Sequence, residues 1–187
     1  MNKDLTSFYP SKQLKYCPFC GSSAFAAVQG KFMHRCPDCL RSLYTNAAGA
    51  VIALIRNPQK EILFTRRKYN PSAGMLDLPG GFVSPGEKAE EAVVREVKEE
   101  LNLIVVRPRF LASLPNEYLF DGIVYYTMDL IFACEVADLS VLAASDDVSD
   151  AVWLPLRSVK VGEIGLHSVR KLIESMQQHD DGDFSYL

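Results

Sequence analysis

The sequence predicts an α/β domain with a small cysteine-bearing ribbon ahead of it. Three observations carry that reading. From Ala50 onward, short β-compatible runs alternate with loops and helical stretches. Two later segments repeat apolar residues at helical spacing. Ahead of them, four of the five cysteines sit in two tight pairs.

The 187 residues suit one ordinary domain with a small appendage, and 48% hydrophobic content is enough to build a sizeable core. Twenty Lys and Arg against 23 Asp and Glu leave a net charge of −3, which gives no broad electrostatic footprint for nucleic acid or an anionic membrane. No apolar run approaches the roughly 18 residues of a membrane span. The opening MNKDLTSFYPSKQLK lacks the apolar core of a secretory signal. A soluble, cytoplasmic protein without a membrane partner is expected. In a reducing compartment, paired cysteines point to metal before disulfide.

Taken in order, residues 1–15 read as a polar leader, 16–45 as the cysteine ribbon, 48–177 as the α/β domain and 178–187 as a frayed tail. Ala50–Arg56 and Glu61–Thr65 are β-compatible, and the Asn57-Pro58-Gln59-Lys60 turn between them suggests a hairpin. Residues 71–86, rich in Pro and Gly, read as loop. A helix is expected over 88–101, then strands over Leu103–Phe110 and Ile123–Val136. A short strand at Ala151–Leu154 stops at Pro155. Leu166, Val169, Leu172, Ile173 and Met176 mark a closing amphipathic helix.

The cysteine pairs are Cys17-Pro18-Phe19-Cys20 and Cys36-Pro37-Asp38-Cys39, fifteen residues apart. That spacing suits a tetrahedral four-thiolate Zn²⁺ site, closed to water and therefore structural. A ribbon this small has little core, so metal binding would supply much of its folding free energy. Lys31, His34, Arg35 and Arg41, with Phe32 as a stacking group, offer a nucleic-acid surface as the less favoured use; a metal-stapled flap or dimerisation element is preferred. His34 is expected at the surface, since four cysteines complete the site.

The acidic helix is the more informative segment. Ala89, Val93, Val97 and Leu101 form an apolar stripe, and Ser84-Pro85-Gly86-Glu87 resembles a capping box, although a start just after Glu87 is equally allowed. Glu96, Glu99 and Glu100 fall within roughly 100° of helical arc. Like charges at these spacings each cost a few tenths of a kcal/mol, which Arg95 offsets in part. Beside them, Gly80-Gly81 offers backbone that a phosphate can approach closely. Mg²⁺ prefers a few carboxylates plus substrate phosphates, so the acids and the glycines together suit a metal–polyphosphate site.

Gly81, five residues, Glu87, seven residues, then Arg95-Glu96-Val97-x-Glu99-Glu100-x-Asn102-Leu103 resembles the box that defines the Nudix hydrolase family. Asn102 stands where the family has Gly; the position follows a helix end, where left-handed geometry is wanted and Asn tolerates it. The flanking Leu78-Pro79-Gly80-Gly81-Phe82-Val83 and Asp147…Trp153-Leu154-Pro155-Leu156 are similar to family members too. The resemblance covers about residues 48–177 and implies an α/β/α sandwich on a mixed sheet. The ribbon is similar to one that precedes the catalytic domain in the family's NADH pyrophosphatase branch. That branch carries a SQPWPF-type motif after the box. Here Ser113-Leu114-Pro115-Asn116-Glu117-Tyr118 keeps the serine and first proline and lacks the tryptophan and second proline.

The resemblance implies hydrolysis of a pyrophosphate bond in a nucleoside diphosphate derivative, such as ADP-ribose or a dinucleotide, with Mg²⁺ or Mn²⁺ as cofactor. Glu96 and Glu100 correspond to the principal metal ligands, Glu99 helps, and the Gly81 carbonyl is a further ligand. Arg95 corresponds to an orienting arginine, and Glu87 to a secondary ligand or loop anchor. Candidates for the general base are Glu96, Glu99 and, from a loop, Asp147, with Asp146 or Asp150 as substitutes. Phe82 and Tyr118 are candidates for stacking on a base, as are Phe120, Tyr125 and Tyr126. NADH pyrophosphatase or RNA-decapping activity is the alternative within the family. A non-catalytic nucleotide-sensing or RNA-binding module is the alternative outside it. A small-molecule nucleotide is the expected partner, with self-association into a homodimer suggested by the ribbon's size.

Overall fold

The computed structural model describes residues 5–179 and divides the chain into two compact units. One comprises residues up to Ala47 together with Glu117–Tyr126; the other comprises Ala48–Asn116 and the chain from Thr127 onward. Of the tail expected at 178–187, residues 178–179 form the end of the closing helix, and 180–187 lie outside the described residues.

In the first unit, a short helix α1 (Pro10–Gln13) leads into a three-stranded sheet, β1 (Ala26–Ala27), β2 (Met33–Arg35) and β3 (Ser42–Tyr44), in that order and antiparallel. The segment read as a polar leader therefore carries structure: Tyr9, at the start of α1, stacks on Tyr126 and donates from its hydroxyl to Glu117. Buried Cys17, Phe25 and Cys36 form a minimal core, flanked by Leu14, Cys39 and Leu43.

The second unit is an α/β/α sandwich. β4 (Ala48–Ile55) lies between β7 (Gly80–Phe82), antiparallel to it, and β9 (Ile123–Val136), parallel to it; β8 (Val105–Phe120) completes this mixed sheet at its edge. A second sheet holds β10 (Val148–Leu154), β5 (Ile62–Arg67) and β6 (Leu76–Asp77). Alternation along the buried strands sorts side chains to two layers. Val51, Ala53, Ile55 and Leu63 face the stripe of α2 (Ala89–Leu101), namely Ala92, Val93, Val97 and Leu101. Ile52, Leu54, Ile62 and Phe64 face α3 (His167–His179) through Val169, Leu172, Ile173 and Met176. No helix among the described residues is long and apolar enough to cross a membrane.

Three sequence expectations change. The hairpin read at residues 50–65 closes only at its tip, where Asn57 N–H donates to the Glu61 carbonyl and Arg56 bridges Ile62; beyond it β4 and β5 part into different sheets, because both edges of each are taken by other strands. Residues 71–86, read as loop, contain β6 and β7, whose Pro and Gly content hides their pairing. The strand read as Leu103–Phe110 continues to Phe120, where Asp121 (φ 47°) and Gly122 (φ 76°) make the turn into β9.

Beneath the sheet junction lies a buried polar group. Arg67 Nη1 donates to Asp77 Oδ2 at 2.7 Å, and the Leu78 amide donates to Oδ1 at 2.9 Å. Thr127 and Ser168 both donate to nearby Asp129, at 2.6 and 2.5 Å. Burial pushes the Asp77 carboxyl up to about 6, against the pull of Arg67 and with help from the Asp129 charge. An acid whose pKa is raised by folding favours the fold most below its unfolded pKa, and that contribution is lost as pH rises through the folded value. Compared with Asp77→Asn, the wild-type protein should lose on the order of 3 kcal/mol between pH of about 4 and about 6, whatever the offset between the two. Denaturant titrations of both proteins across that range measure the difference; a constant gap would refute it.

Candidate metal and pyrophosphate sites

Two groups of side chains are candidate cation sites. The first is the cysteine set. Gly21 N–H donates to the Cys17 carbonyl and Cys36 N–H to the Arg41 carbonyl, which curls each pair into a knuckle. The four sulfurs then lie within 4.8 Å of one another, with Cys17–Cys39 at 3.7 Å and Cys20–Cys36 at 3.6 Å. A tetrahedral zinc with bonds of about 2.3 Å requires sulfurs about 3.8 Å apart. All five cysteines are free thiols, and amides of Cys39 and Asp38 lower the Cys36 thiol to about 7 despite burial. The donor set and its spacing fit Zn²⁺. His34 is a correction: it is buried, packed face to face on Phe25 at 5.1 Å, because its strand position turns it inward.

A few buried side chains, at about 1.5–3 kcal/mol each, are small beside the roughly 10–16 kcal/mol that structural zinc can contribute. The purified protein should carry about one zinc, and stripping it with a chelator should abolish amide protection in β2 and β3 while β4 and α3 stay protected. Hydrogen exchange reads this directly; retained protection in the metal-free ribbon would overturn it.

The second group gathers around α2. The helix begins after Lys88, whose amide donates to the Glu91 carboxylate at 3.1 Å, so the Ser84–Glu87 segment is a separate turn: Glu87 N–H donates to the Ser84 carbonyl, and Ser84 N–H to Glu87 Oε2. Asn102 ends the helix in the left-handed region, φ 58°.

β7 is wedged between β4 and α2. A Cβ on Gly80, which has φ 152°, would lie 2.0 Å from the Val51 carbonyl oxygen, so only glycine fits. A Cβ on Gly81 would lie 2.5–2.7 Å from the Glu96 carboxylate, which therefore rests directly on the Gly81 backbone. Gly80 N–H donates to Glu100 Oε2 at 3.0 Å.

Arg95 organises the other acids. Its guanidinium forks onto Glu87, Nε to Oε1 at 2.8 Å and Nη2 to Oε2 at 2.9 Å. Nη1 donates to Glu96 at 2.8 Å and to Glu99 at 3.0 Å, and Nη2 also donates to the Phe82 carbonyl at 3.0 Å. The Arg95 hydrogen bonds, then the Ser84 amide, pull the Glu87 carboxyl down to about 2.

Asp147 arrives from the loop before β10. That loop caps the C-terminal end of α2: Ser145 N–H donates to the Glu100 carbonyl, its hydroxyl to the Glu99 carbonyl, and Ala143 N–H to the Leu101 carbonyl. Lys68 N–H holds the Asp147 carbonyl at 2.8 Å. Asp147 thereby faces Glu100, which is 5% exposed. Burial, then the Asp147 charge, pushes the Glu100 carboxyl well above the usual range. Burial also raises Glu96, against Arg95 and with the charges of Glu99 and Asp147.

The structure thus brings together Gly81, Glu96, Glu99, Glu100, Arg95 and Asp147, and places Glu87 against Arg95. Phe82 follows on β7, 44% exposed. Tyr118 belongs to the other unit, stacked on Phe120 at 6.0 Å. Among the described residues, the acids form no knot as tight as the cysteines. Sequence reasoning overlooked Ser145, which fixes the Asp147 loop; a lone serine in a polar turn gives no signal.

A NUDIX domain model matches residues 46–174, and the chain belongs to the Nudix family. Among curated proteins, it is 26% identical over 162 residues to the NAD-capped RNA hydrolase NudC of Stutzerimonas stutzeri, covering 87% of this chain and 55% of that one. It is 55% identical over 62 residues to the ADP-ribose pyrophosphatase of Methanocaldococcus jannaschii, covering 33% of this chain and 36% of that one. The chain spans about half the length of the NudC relatives it matches. Among solved structures, a NUDIX hydrolase from Nitrosomonas europaea superposes with a TM-score of 0.67 at 20% identity, over 88% of this chain and 91% of that one. The MutT protein from Methanosarcina mazei gives 0.59 at 28% identity, over 74% and 99%.

Proposed function

We propose that the protein hydrolyses the pyrophosphate bond of a nucleoside diphosphate derivative in an Mg²⁺- or Mn²⁺-dependent reaction. ADP-ribose and NAD-type dinucleotides are the leading substrate class. The observation that carries this reading is the Glu96 carboxylate resting on the Gly81 backbone, with Glu100 and Asp147 beside it. Anionic groups are held close together against their mutual repulsion, an arrangement that a divalent cation relieves. Relatives named for ADP-ribose and for NAD-capped RNA support the substrate class, since both compounds carry a pyrophosphate between two ribosides.

Glu96, Glu99, Glu100 and the Gly81 carbonyl would hold the cation. When bound, it supplies positive charge against the pyrophosphate oxygens and Lewis acidity toward phosphorus. Arg95 keeps Glu96 and Glu99 oriented and spends its fork on Glu87, so Glu87 serves as a loop anchor. Glu99 and Asp147 are the bases proposed to take the proton of an attacking water, with Glu96 as a third. The bare backbone at Gly80-Gly81 admits a phosphate, and exposed Phe82 offers a face to a base. The Cys₄ site would hold Zn²⁺ in a purely structural role.

The test is a metal-supplemented hydrolysis screen across nucleoside diphosphate derivatives, reading product masses. Glu100→Gln keeps the shape and the Gly80 hydrogen bond, so it should fold at least as stably while losing at least about a hundredfold in kcat. Unchanged turnover would end the assignment.

Gly81→Ala makes a separate demand. Its Cβ meets only the flexible end of Glu96, so thermal stability should hold while activity falls about 10- to 100-fold, as when a ligand's support is lost. Metal titration and kinetics together check it; a fully active variant would show that the Glu96 position is immaterial.

A further inference from the structure

We propose that Lys68 binds the substrate's phosphate on the Asp147 side of the cation site, as a positive charge that the acidic helix does not supply. The inference rests on the pyrophosphate reading above and adds a residue to it. β5 ends at Arg67, and the next residue grips the loop before β10 twice. The Lys68 amide donates to the Asp147 carbonyl at 2.8 Å, and its ammonium donates to the Asp146 carbonyl at 3.0 Å. These carbonyls belong to the peptide groups on either side of the Asp147 Cα. The ammonium is thereby fixed beside the acid that faces Glu100. Tyr69 restrains it further, with its ring centroid 5.2 Å away. An exposed lysine ordinarily loses much rotamer freedom on binding; here part of that loss precedes the ligand.

Charge explains why a cation is wanted there. Glu87, Glu96 and Glu99 share the Arg95 guanidinium, whereas Glu100 and Asp147 face each other outside its bonds. A single divalent cation does not neutralise this set, and a pyrophosphate brings further negative charge. Like charges at close range are costly where solvent is scarce. The Lys68 ammonium has spent one donor on a neutral carbonyl. Among the described residues, no carboxylate lies within ion-pair distance of it. Its charge and its other donors remain for an anion.

Arg66 provides the contrast. It lies two residues earlier, on the same side of the strand. Its Nη1 donates to the Gly74 carbonyl at 3.2 Å, and its neighbour across the ladder is Asp150. Its side chain thus carries the same charge on different partners. A lysine that only pinned the Asp147 loop would also differ from one that binds phosphate. The backbone half of the Lys68 grip survives any side-chain substitution, so Asp147 stays placed while the charge is removed.

The test uses the full zinc-loaded chain with Mg²⁺ and methylenediphosphonate, a pyrophosphate mimic whose bridging carbon resists hydrolysis. Calorimetry reads the affinity, so the result stands apart from turnover. Lys68→Gln should weaken binding by about tenfold or more, the loss of one charge-assisted hydrogen bond. Lys68→Arg, which keeps the charge, should recover most of that loss, and Arg66→Gln should change affinity by less than about threefold. Undiminished affinity in Lys68→Gln, with faster amide exchange at Val148, would mark a loop pin and overturn the proposal. So would a loss as large in Lys68→Arg, which would show that charge is not the ingredient. An equal loss in Arg66→Gln would show a diffuse field and overturn it too. Absence of binding by the wild-type chain would defeat the pyrophosphate reading itself, and this one with it.

Discussion

The second unit depends on one close approach: the strand Gly80–Phe82 lies between β4 and α2 with no room for a side chain at Gly80, and with room at Gly81 only if the Glu96 carboxylate swings aside. Everything chemical about the acidic helix follows from it. With the backbone bare, Glu100 can take the Gly80 amide and Glu96 can rest on Gly81. A side chain at either place would push the helix or its carboxylates away. The sheet, in turn, holds the glycines in register by pairing Ile52 with Gly80 and Val51 with Gly81.

Holding those carboxylates together runs against their electrostatics. Arg95 offsets part of the repulsion by spreading one guanidinium over Glu87, Glu96 and Glu99. It does nothing for Glu100 and Asp147, which face each other with little solvent around Glu100. The rest of the unit offsets that cost, since the α2 stripe buries Ala92, Val93, Val97 and Leu101 completely against β4 and its neighbours. Apolar burial on one face thus stabilises a locally unfavourable arrangement on the other. A site kept in readiness for a cation has this form.

How much of this the sequence disclosed depends on where the signal was local. The α2 stripe, the left-handed Asn102, the cysteine knuckles and the α3 stripe were all legible, because each rests on residue spacing within one element. β6 and β7 were not, since two- and three-residue strands rich in Gly have no periodicity to read. The parting of β4 from β5 was invisible for another reason: the turn at Asn57–Lys60 is a genuine turn, and only competition from distant strands decides how far the pairing runs. The fork of Arg95 onto Glu87, eight residues away, depends on the turn ahead of the helix folding back.

The Asp147 loop shows most clearly why part of a site escapes sequence reasoning. An acidic cluster at 146–150 reads equally well as a solvated turn. What distinguishes Asp147 is the end of α2, whose last carbonyls need donors once the helix stops. Ser145 and Ala143 supply them, and Asp147 is carried toward Glu100 as a consequence of satisfying backbone groups. Capping and chemistry are therefore the same set of bonds at this helix end. A substitution that loosened the Ser145 contacts would move an acid without touching one, and the helix terminus links backbone satisfaction to the charge around Glu100.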